Sequence, residues 1–356
     1  MEELSFYKGK RVFVTGHTGF KGSFLTEILL ELGAEVYGYA LAPETDPNAF
    51  TLLALDKRLG KRSVTGDIRD LSALWQAFQK ADPEIVFHLA AQPIVRRSYE
   101  EPALTYETNV MGTVNVLECI RRSERVSAFL NVTTDKVYEN RETNEPFRED
   151  DRLCGFDPYS NSKSCSELVT QSYRQSFFAG KNVAVSTARA GNVIGGGDYS
   201  RDRLVPDGVR AAKSGNVFLL RNPRSIRPYQ HVFEPLFAYL TIAKATVLDK
   251  SLAGSYNVGP DACDCLTTEE MAKHFVSAWG ENVKYEAAAK SEGPHEAGLL
   301  RLDNTKLKET FSITPVWDAR TAIEKTVEWE KADDKLAVTR KQIEEYKKDA
   351  GSARKE

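Results

Sequence analysis

Two clusters between Thr133 and Lys163 hold the residues best suited to chemistry. Thr133-Thr134-Asp135-Lys136-Val137-Tyr138 ends an apolar run, and Tyr159-Ser160-Asn161-Ser162-Lys163 opens a helical pattern. A tyrosine and a lysine four apart on a helix share one face, one turn from each other. The ammonium can then hold the phenol near ionisation. Such a phenol takes a proton from a carbinol as its carbon gives up a hydride, provided a nicotinamide lies alongside. The rest of the chain must therefore supply a dinucleotide site and an alcohol site.

The first of these is signalled near the N-terminus. Arg11-Val12-Phe13-Val14-Thr15 is a buried-strand pattern, then come Gly16-His17-Thr18-Gly19-Phe20-Lys21-Gly22 and an apolar-periodic helix from Phe24 to Leu32. Glycines between strand and helix let backbone amides approach a pyrophosphate at a helix N-terminus, where free N–H groups favour an anion. The second strand, ending Tyr39-Ala40-Leu41-Ala42-Pro43, lacks the acidic residue that ordinarily holds the adenosine ribose, with none before Glu44. NAD and NADP are therefore not separated by this strand.

Further strands are expected within Ser63–Asp70 and at Glu84–Gln92, Arg125–Val132 and Val183–Ala188, with helices between them. Asp70 is the expected N-cap of one helix. The fourth strand ends in Leu89-Ala90-Ala91-Gln92, small residues on which a flat cofactor could lie; His88, inside it, is expected to be structural. A long helical region from about Ser98 to Arg122 carries Asn109, a mediocre helix former unless its amide has something to bind. Another helix runs from Tyr159 to about Phe178. Six strands alternating with helices predict an α/β fold, a doubly wound parallel sheet whose ligands collect beyond the C-terminal strand ends.

Past residue 190 the rhythm breaks into a glycine- and charge-rich loop, Gly195 to Arg203, and an arginine cluster from Arg221 to His231 suited to an anion. The expected organisation is a dinucleotide-binding unit over 1–190, a smaller lobe over 191–335 closing on the strand ends, and a charged tail over 336–356. A strand near Tyr256-Asn257-Val258 is assigned to the lobe, and the tail is expected to be a solvated, fraying helix.

Composition narrows the classes. At 356 residues and 41% hydrophobic content the chain can bury a core, with room for domains of roughly 100 to 200 residues. A net charge of −3 with 28% charged residues leaves no basic stripe, so nucleic acid is a poor partner. The five cysteines include one close pair, Cys263 and Cys265, whose single intervening residue is not a zinc spacing. Reduced thiols are expected, and no metal. No window approaches the ~20 apolar residues of a membrane helix, and the N-terminus has no secretory pattern. A soluble, cytoplasmic protein is expected.

Together, the glycine turn, His88-Leu89-Ala90-Ala91-Gln92, Thr108-Asn109-Val110, Thr133 to Tyr138, Tyr159 with Lys163, Asn192 to Asp198, and Arg227-Pro228-Tyr229-Gln230-His231-Val232 resemble the extended short-chain dehydrogenase/reductase family, in its nucleotide-sugar 4,6-dehydratase branch. The resemblance covers about residues 10 to 235. It implies a Rossmann-type sheet with a smaller substrate-binding lobe. It also implies bound NAD contacted by Gly16, His17, Thr18, Gly19, Phe20, Gly22, Asp67, Ile68, Leu89, Ala90, Ala91, Asn109, Thr133, Tyr159 and Lys163. Tyr159, its pKa lowered by Lys163, would take the sugar 4-hydroxyl proton, Thr134 would bond the 4-oxygen, and Asp135 would protonate the departing 6-hydroxyl. Lys136 departs from the glutamate that many dTDP-glucose enzymes carry as the base at carbon 5, and the lysine pattern resembles the CDP-glucose branch. Gln92, Asn192, Arg203, Arg227 and His231 would hold the sugar nucleotide, and the long helices from Ser98 and Tyr159 would pair two chains into a homodimer or a homotetramer. The competing expectations are a 4-epimerase, a dehydratase for a dTDP, GDP or UDP sugar, and a non-catalytic dinucleotide sensor.

Overall fold

One short strand divides the core in two. In β1 (Arg11–Thr15), Val12 and Val14 join one buried cluster and Phe13 joins another, because successive side chains of a strand point to opposite faces. Six more strands lie parallel with it: β2 (Glu35–Ala40), β3 (Ser63–Thr65), β4 (Ile85–His88), β5 (Ala128–Thr134), β6 (Ala184–Ala190) and β7 (Ser255–Val258). Their order is β7-β6-β5-β4-β1-β2-β3, so the strand order reverses beside β1, and a crevice opens where β1 and β4 end. The computed structural model describes residues 2–140, 142–280, 283–287 and 299–353.

The main helices are α1 (Phe20–Glu31), α2 (Leu71–Ala81), α3 (Gly112–Arg122), α4 (Pro158–Ser176), α5 (Leu204–Ser214), α6 (Phe233–Leu248), α7 (Thr268–Trp279), α8 (Ala319–Lys331) and α9 (Lys335–Ala353). Phe24, Leu25 and Ile28 of α1 and Phe233, Leu236 and Leu240 of α6 cover the Val12 face. Phe78 of α2 and Val116 and Ile120 of α3 cover the Phe13 face. Both faces are thus closed, and the all-parallel strands read as continuous apolar runs. A third cluster, with Val205, Met271, Phe275 and Ile323, joins α5, α7 and α8 above the C-terminal strand ends.

Three sequence expectations are corrected. Tyr256-Asn257-Val258 is not in the lobe but is β7, pairing in parallel with β6. The region from Ser98 to Arg122 is not one helix. A helix ends at Glu100, another begins at Pro102, a wide turn of π type spans Glu107–Met111, and α3 follows. Pro102 has no N–H to continue the first helix and suits the first turn of the next. The tail is not a solvated helix. Val338, Ile343 and Tyr346 of α9 are buried in the core, Tyr346 donates to Glu234 Oε2 at 2.9 Å, and Trp317 Nε1 donates to Asp349 at 2.9 Å. Its apolar residues recur on one face between many charges, so composition hides a narrow docking stripe.

Candidate active site

Helix α4 begins where it does because Asp157 accepts from the Ser160 N–H at 2.9 Å and Pro158 occupies the first helical position. Tyr159 and Lys163 then fall on its first two turns, and both are buried. Lys163 Nζ donates to the Val132 carbonyl at 3.2 Å, which ties the lysine to β5. That strand ends at Thr134, where the chain enters a short turn over Asp135–Val137. Thr134 Oγ1 donates to Asp135 Oδ1 at 2.9 Å, while Asp135 Oδ2 is buried with no hydrogen-bond partner.

Two depressions meet at these residues. A groove along the strand ends is lined by Gly16, Thr18, Gly19, Phe20, Gly22, Asp67, Ile68, Leu89, Ala90, Ala91, Thr133, Tyr159 and Lys163. A cavity beneath the lobe is lined by Thr134, Asp135, Lys136, Asn192, Arg203 and Arg227, again with Thr133 and Tyr159. The sequence-nominated groups therefore gather on two adjoining surfaces, with the phenol at their boundary.

The groove fits a dinucleotide. Gly16 has φ +76°, and a Cβ on it would lie 2.6 Å from Ala90 N; a Cβ on Gly22 would lie 2.0 Å from Gly16 O. The turn can pack this tightly only without side chains at these two positions. Gly19 begins α1 with no side-chain cap, so the first-turn N–H groups remain available to a phosphate. No acid ends β2; Glu44 lines the groove and pairs with Arg97 at 3.3 Å, and Asp67 pairs with Arg69 at 2.7 Å.

Burial dominates the electrostatics. It pushes the Tyr159 phenol up to about 12, opposed by the Thr134 hydrogen bond and the Arg203 charge. Burial brings Lys163 down to about 8, with Glu167 pulling the other way. The Asp135 carboxyl is raised by burial, against Lys136, Thr134, Arg227 and Lys21, so it keeps a proton more readily than an exposed aspartate.

Four nominated residues sit elsewhere than expected. His17 is fully buried under the glycine turn, its Nε2 2.7 Å from Ser63 Oγ and its ring edge-on to Phe50, so its imidazole is outside the groove. His231 is buried against Phe233 and Trp317 and takes the Phe233 N–H on Nδ1, away from the cavity. Gln92 lines the groove instead of the cavity. Asn109 lines neither. Within the wide turn it accepts from Gln92 N at 2.8 Å and donates to Gln92 O at 3.0 Å and to Ser162 Oγ at 2.9 Å, clamping the end of the fourth strand to α4. A π turn at such a point is a common local device of functional sites. His88, bonded to Thr15 at 2.7 Å and Thr113 at 3.0 Å, has the structural role its sequence setting indicates.

Sequence reading passed over Lys21, which lines both depressions. Burial, then the charges of Arg203 and Lys163, lower it to about 7. A lysine inside a glycine phosphate turn was the available signal. Arg96 and Thr268 also line the cavity from two separate segments, and no local pattern marks them.

Comparison with known proteins agrees with this geometry. Residues 13–329 match the family model described as GDP-mannose 4,6 dehydratase. The chain is 43% identical over 356 residues, 97% of its length and 98% of the relative's, to a CDP-glucose 4,6-dehydratase of Salmonella typhimurium. A Thermus thermophilus UDP-glucose 4-epimerase solved with NAD superposes with a TM-score of 0.76 at 26% identity, over 90% of this chain and 99% of that one. A Bacillus anthracis dTDP-glucose 4,6-dehydratase solved with NAD gives 0.72 at 21% identity, over 89% and 95%, and shares the fold. The family match over residues 13–329 and the end-to-end identity together settle the affiliation: the chain belongs to the GDP-mannose 4,6-dehydratase family.

Proposed function

We propose that this chain is a lyase that converts CDP-glucose to CDP-4-keto-6-deoxyglucose and water, using NAD that it retains between turnovers. The observation that carries the reading is the convergence of Tyr159 and Asp135 on one cavity beside the groove, in a chain 43% identical end to end to a CDP-glucose 4,6-dehydratase. NAD, held by the glycine turn from Gly16 to Gly22 and by the groove walls at Asp67, Ile68, Leu89, Ala90 and Ala91, would supply a two-electron acceptor and donor for sugar carbons 4 and 6.

The chain's own groups do the rest. Tyr159 takes the proton of the 4-hydroxyl, with Lys163 as the cation that stabilises the phenolate and Thr134 bonding the 4-oxygen. The 4-ketone acidifies carbon 5, whose proton passes to Lys136 and is later returned. Asp135, whose carboxyl holds its proton more readily because it is buried, gives that proton to the 6-hydroxyl as it leaves as water. The proton on Tyr159 then restores Asp135, so sugar and enzyme together lose one water. Asn192, Arg203 and Arg227 suit the diphosphate. A 4-epimerase has no use for an acid at carbon 6, and the buried Asp135 favours dehydration.

Exposed Tyr99 on the helical segment from Val95, Met111 at the end of the π-type turn, and Leu168 and Phe177 on and beside α4 suit pairing of two chains, which sedimentation would test. All five thiols are free, in keeping with a cytoplasmic enzyme.

The test is incubation with CDP-, dTDP-, UDP- and GDP-glucose, reading the 4-keto product by its alkaline absorbance and any 4-epimer by NMR. CDP-glucose is expected to give the 4-keto product fastest, and an epimer without ketone would overturn the reading. Lys136→Ala should slow loss of deuterium from carbon 5 of labelled substrate; normal loss would remove the base assignment.

A further inference from the structure

Directly behind the Tyr159–Lys163 pair lies a group of buried charges that the proposed reaction does not use. Glu167 is one turn beyond Lys163 on the same face of α4, and its side chain is 2% exposed. Its Oε1 accepts from Thr133 Oγ1 at 2.5 Å, and its Oε2 accepts from Thr187 Oγ1 at 2.8 Å and Arg189 Nη2 at 2.9 Å. Arg189 Nη1 reaches on to the Tyr138 hydroxyl at 2.8 Å and the Glu149 carbonyl at 2.9 Å, and Tyr138 donates to Asn257 Oδ1 at 2.6 Å.

The elements joined in this way are those that carry the reacting groups. Helix α4 bears Tyr159 and Lys163, Thr133 and Tyr138 flank Thr134-Asp135-Lys136, and Arg189 precedes Asn192. A buried ion pair of this kind is seldom a source of net stability, since both charges are taken out of water. We infer that Glu167, held in place by Arg189, is a positioning residue for the oxidation step: its carboxylate sets the field at Lys163 and, through Thr133, fixes the wall shared by groove and cavity.

The inference rests on Tyr159 and Lys163 being the oxidising pair. The charged and titratable groups around Lys163 are Tyr159 and Glu167 on its own helix, Arg189 of β6 behind Glu167, His88 on β4, Lys21 in the first turn of α1 and, beyond Lys21, Asp135. His88 is neutral near pH 7 because burial lowers it to about 3, and Lys21 repels. Among these, Glu167 is the group that raises Lys163. Removing its charge should let Lys163 lose its proton at lower pH.

The experiment compares full-length wild type, Glu167→Gln, Glu167→Asp and the charge-neutral double variant Glu167→Gln/Arg189→Gln. For Glu167→Gln, kcat with CDP-glucose should fall about 10- to 100-fold with KM within about two-fold, and the alkaline limb of the kcat profile should move about one pH unit lower. Glu167→Asp should restore the limb. The double variant should regain the thermal midpoint without regaining the limb. If the limb stays in place in both the single and double variants, or if the double variant recovers kcat along with folding, Glu167 is structural only and the inference fails. Should Glu167→Gln fail to fold, the double variant alone decides by the same limb. Wild type that makes no 4-keto product would instead overturn the functional reading, which keeps the two failures apart.

Discussion

The groove and the cavity share Tyr159 and Thr133, yet they are made of different material. The groove is largely backbone: a tight glycine turn, an uncapped helix end and the small residues after β4. The cavity is made of side chains brought from widely separated stretches, from Lys21 to Thr268, with arginines on several of its walls. A backbone surface is fixed by where a Cβ can exist and tolerates almost no change. A side-chain surface can be retuned one residue at a time, so specificity among sugar nucleotides belongs to the cavity.

The comparison can be broken most severely at Gly22. Gly22→Ala forces a Cβ to within 2.0 Å of a backbone oxygen, so the turn must move. NAD affinity by fluorescence titration should fall by about 100-fold or more, with a stability loss of about 1–3 kcal/mol in denaturant unfolding. In Gly19→Ala the nearest atom is 3.4 Å away, and stability should stay within about 0.5 kcal/mol. Equal losses in the two variants would mean that the cradle is not what shapes the groove.

On the cavity side, Arg227→Ala removes a buried guanidinium from the lining. A charged hydrogen bond of about 1.5–3 kcal/mol corresponds to a KM rise of roughly 10- to 100-fold, with NAD affinity unchanged in the same titration. An equal loss of NAD affinity would show that the two depressions are not separable.

At their boundary, kcat should fall as pH rises through about 8. The sign follows from Lys163, which burial brings to about 8 and whose proton is needed to hold the Tyr159 phenolate; above that value the lysine is neutral. A kcat flat from pH 7 to beyond 9 would count against the lysine's role. The smallest effect on catalysis belongs to His231→Gln. This variant should cost about 1–3 kcal/mol of stability and leave KM within about two-fold, because the ring packs on Phe233 and Trp317 and not on the cavity.

How far the sequence could be followed depended on whether each feature was local. The first strand and glycine turn were legible because strand, turn and helix adjoin in the chain, and Tyr159 with Lys163 because one helical turn relates them. The inward packing of the His17 and His231 rings was not legible, since a histidine inside a motif looks the same whether its ring faces a ligand or the core. The tail was misjudged because a stripe of three apolar residues among many charges counts for little until Phe233 and Trp317 are placed opposite it.

The sequence by itself determined the parallel sheet, the anion-binding turn and the tyrosine–lysine pair, because periodicity, glycine placement and i, i+4 spacing act over a few residues. The tertiary structure decided that Ser255–Val258 completes the main sheet, that Asn109 clamps Gln92 to α4, and that Glu167 and Arg189 meet behind Lys163. Each of these joins residues distant in the chain or on different elements, and each depends on which faces the fold turns toward one another. Burial then raises the pKa of Tyr159 and Asp135 and lowers that of Lys163, and burial is a property of the whole molecule, which no single stretch of residues carries.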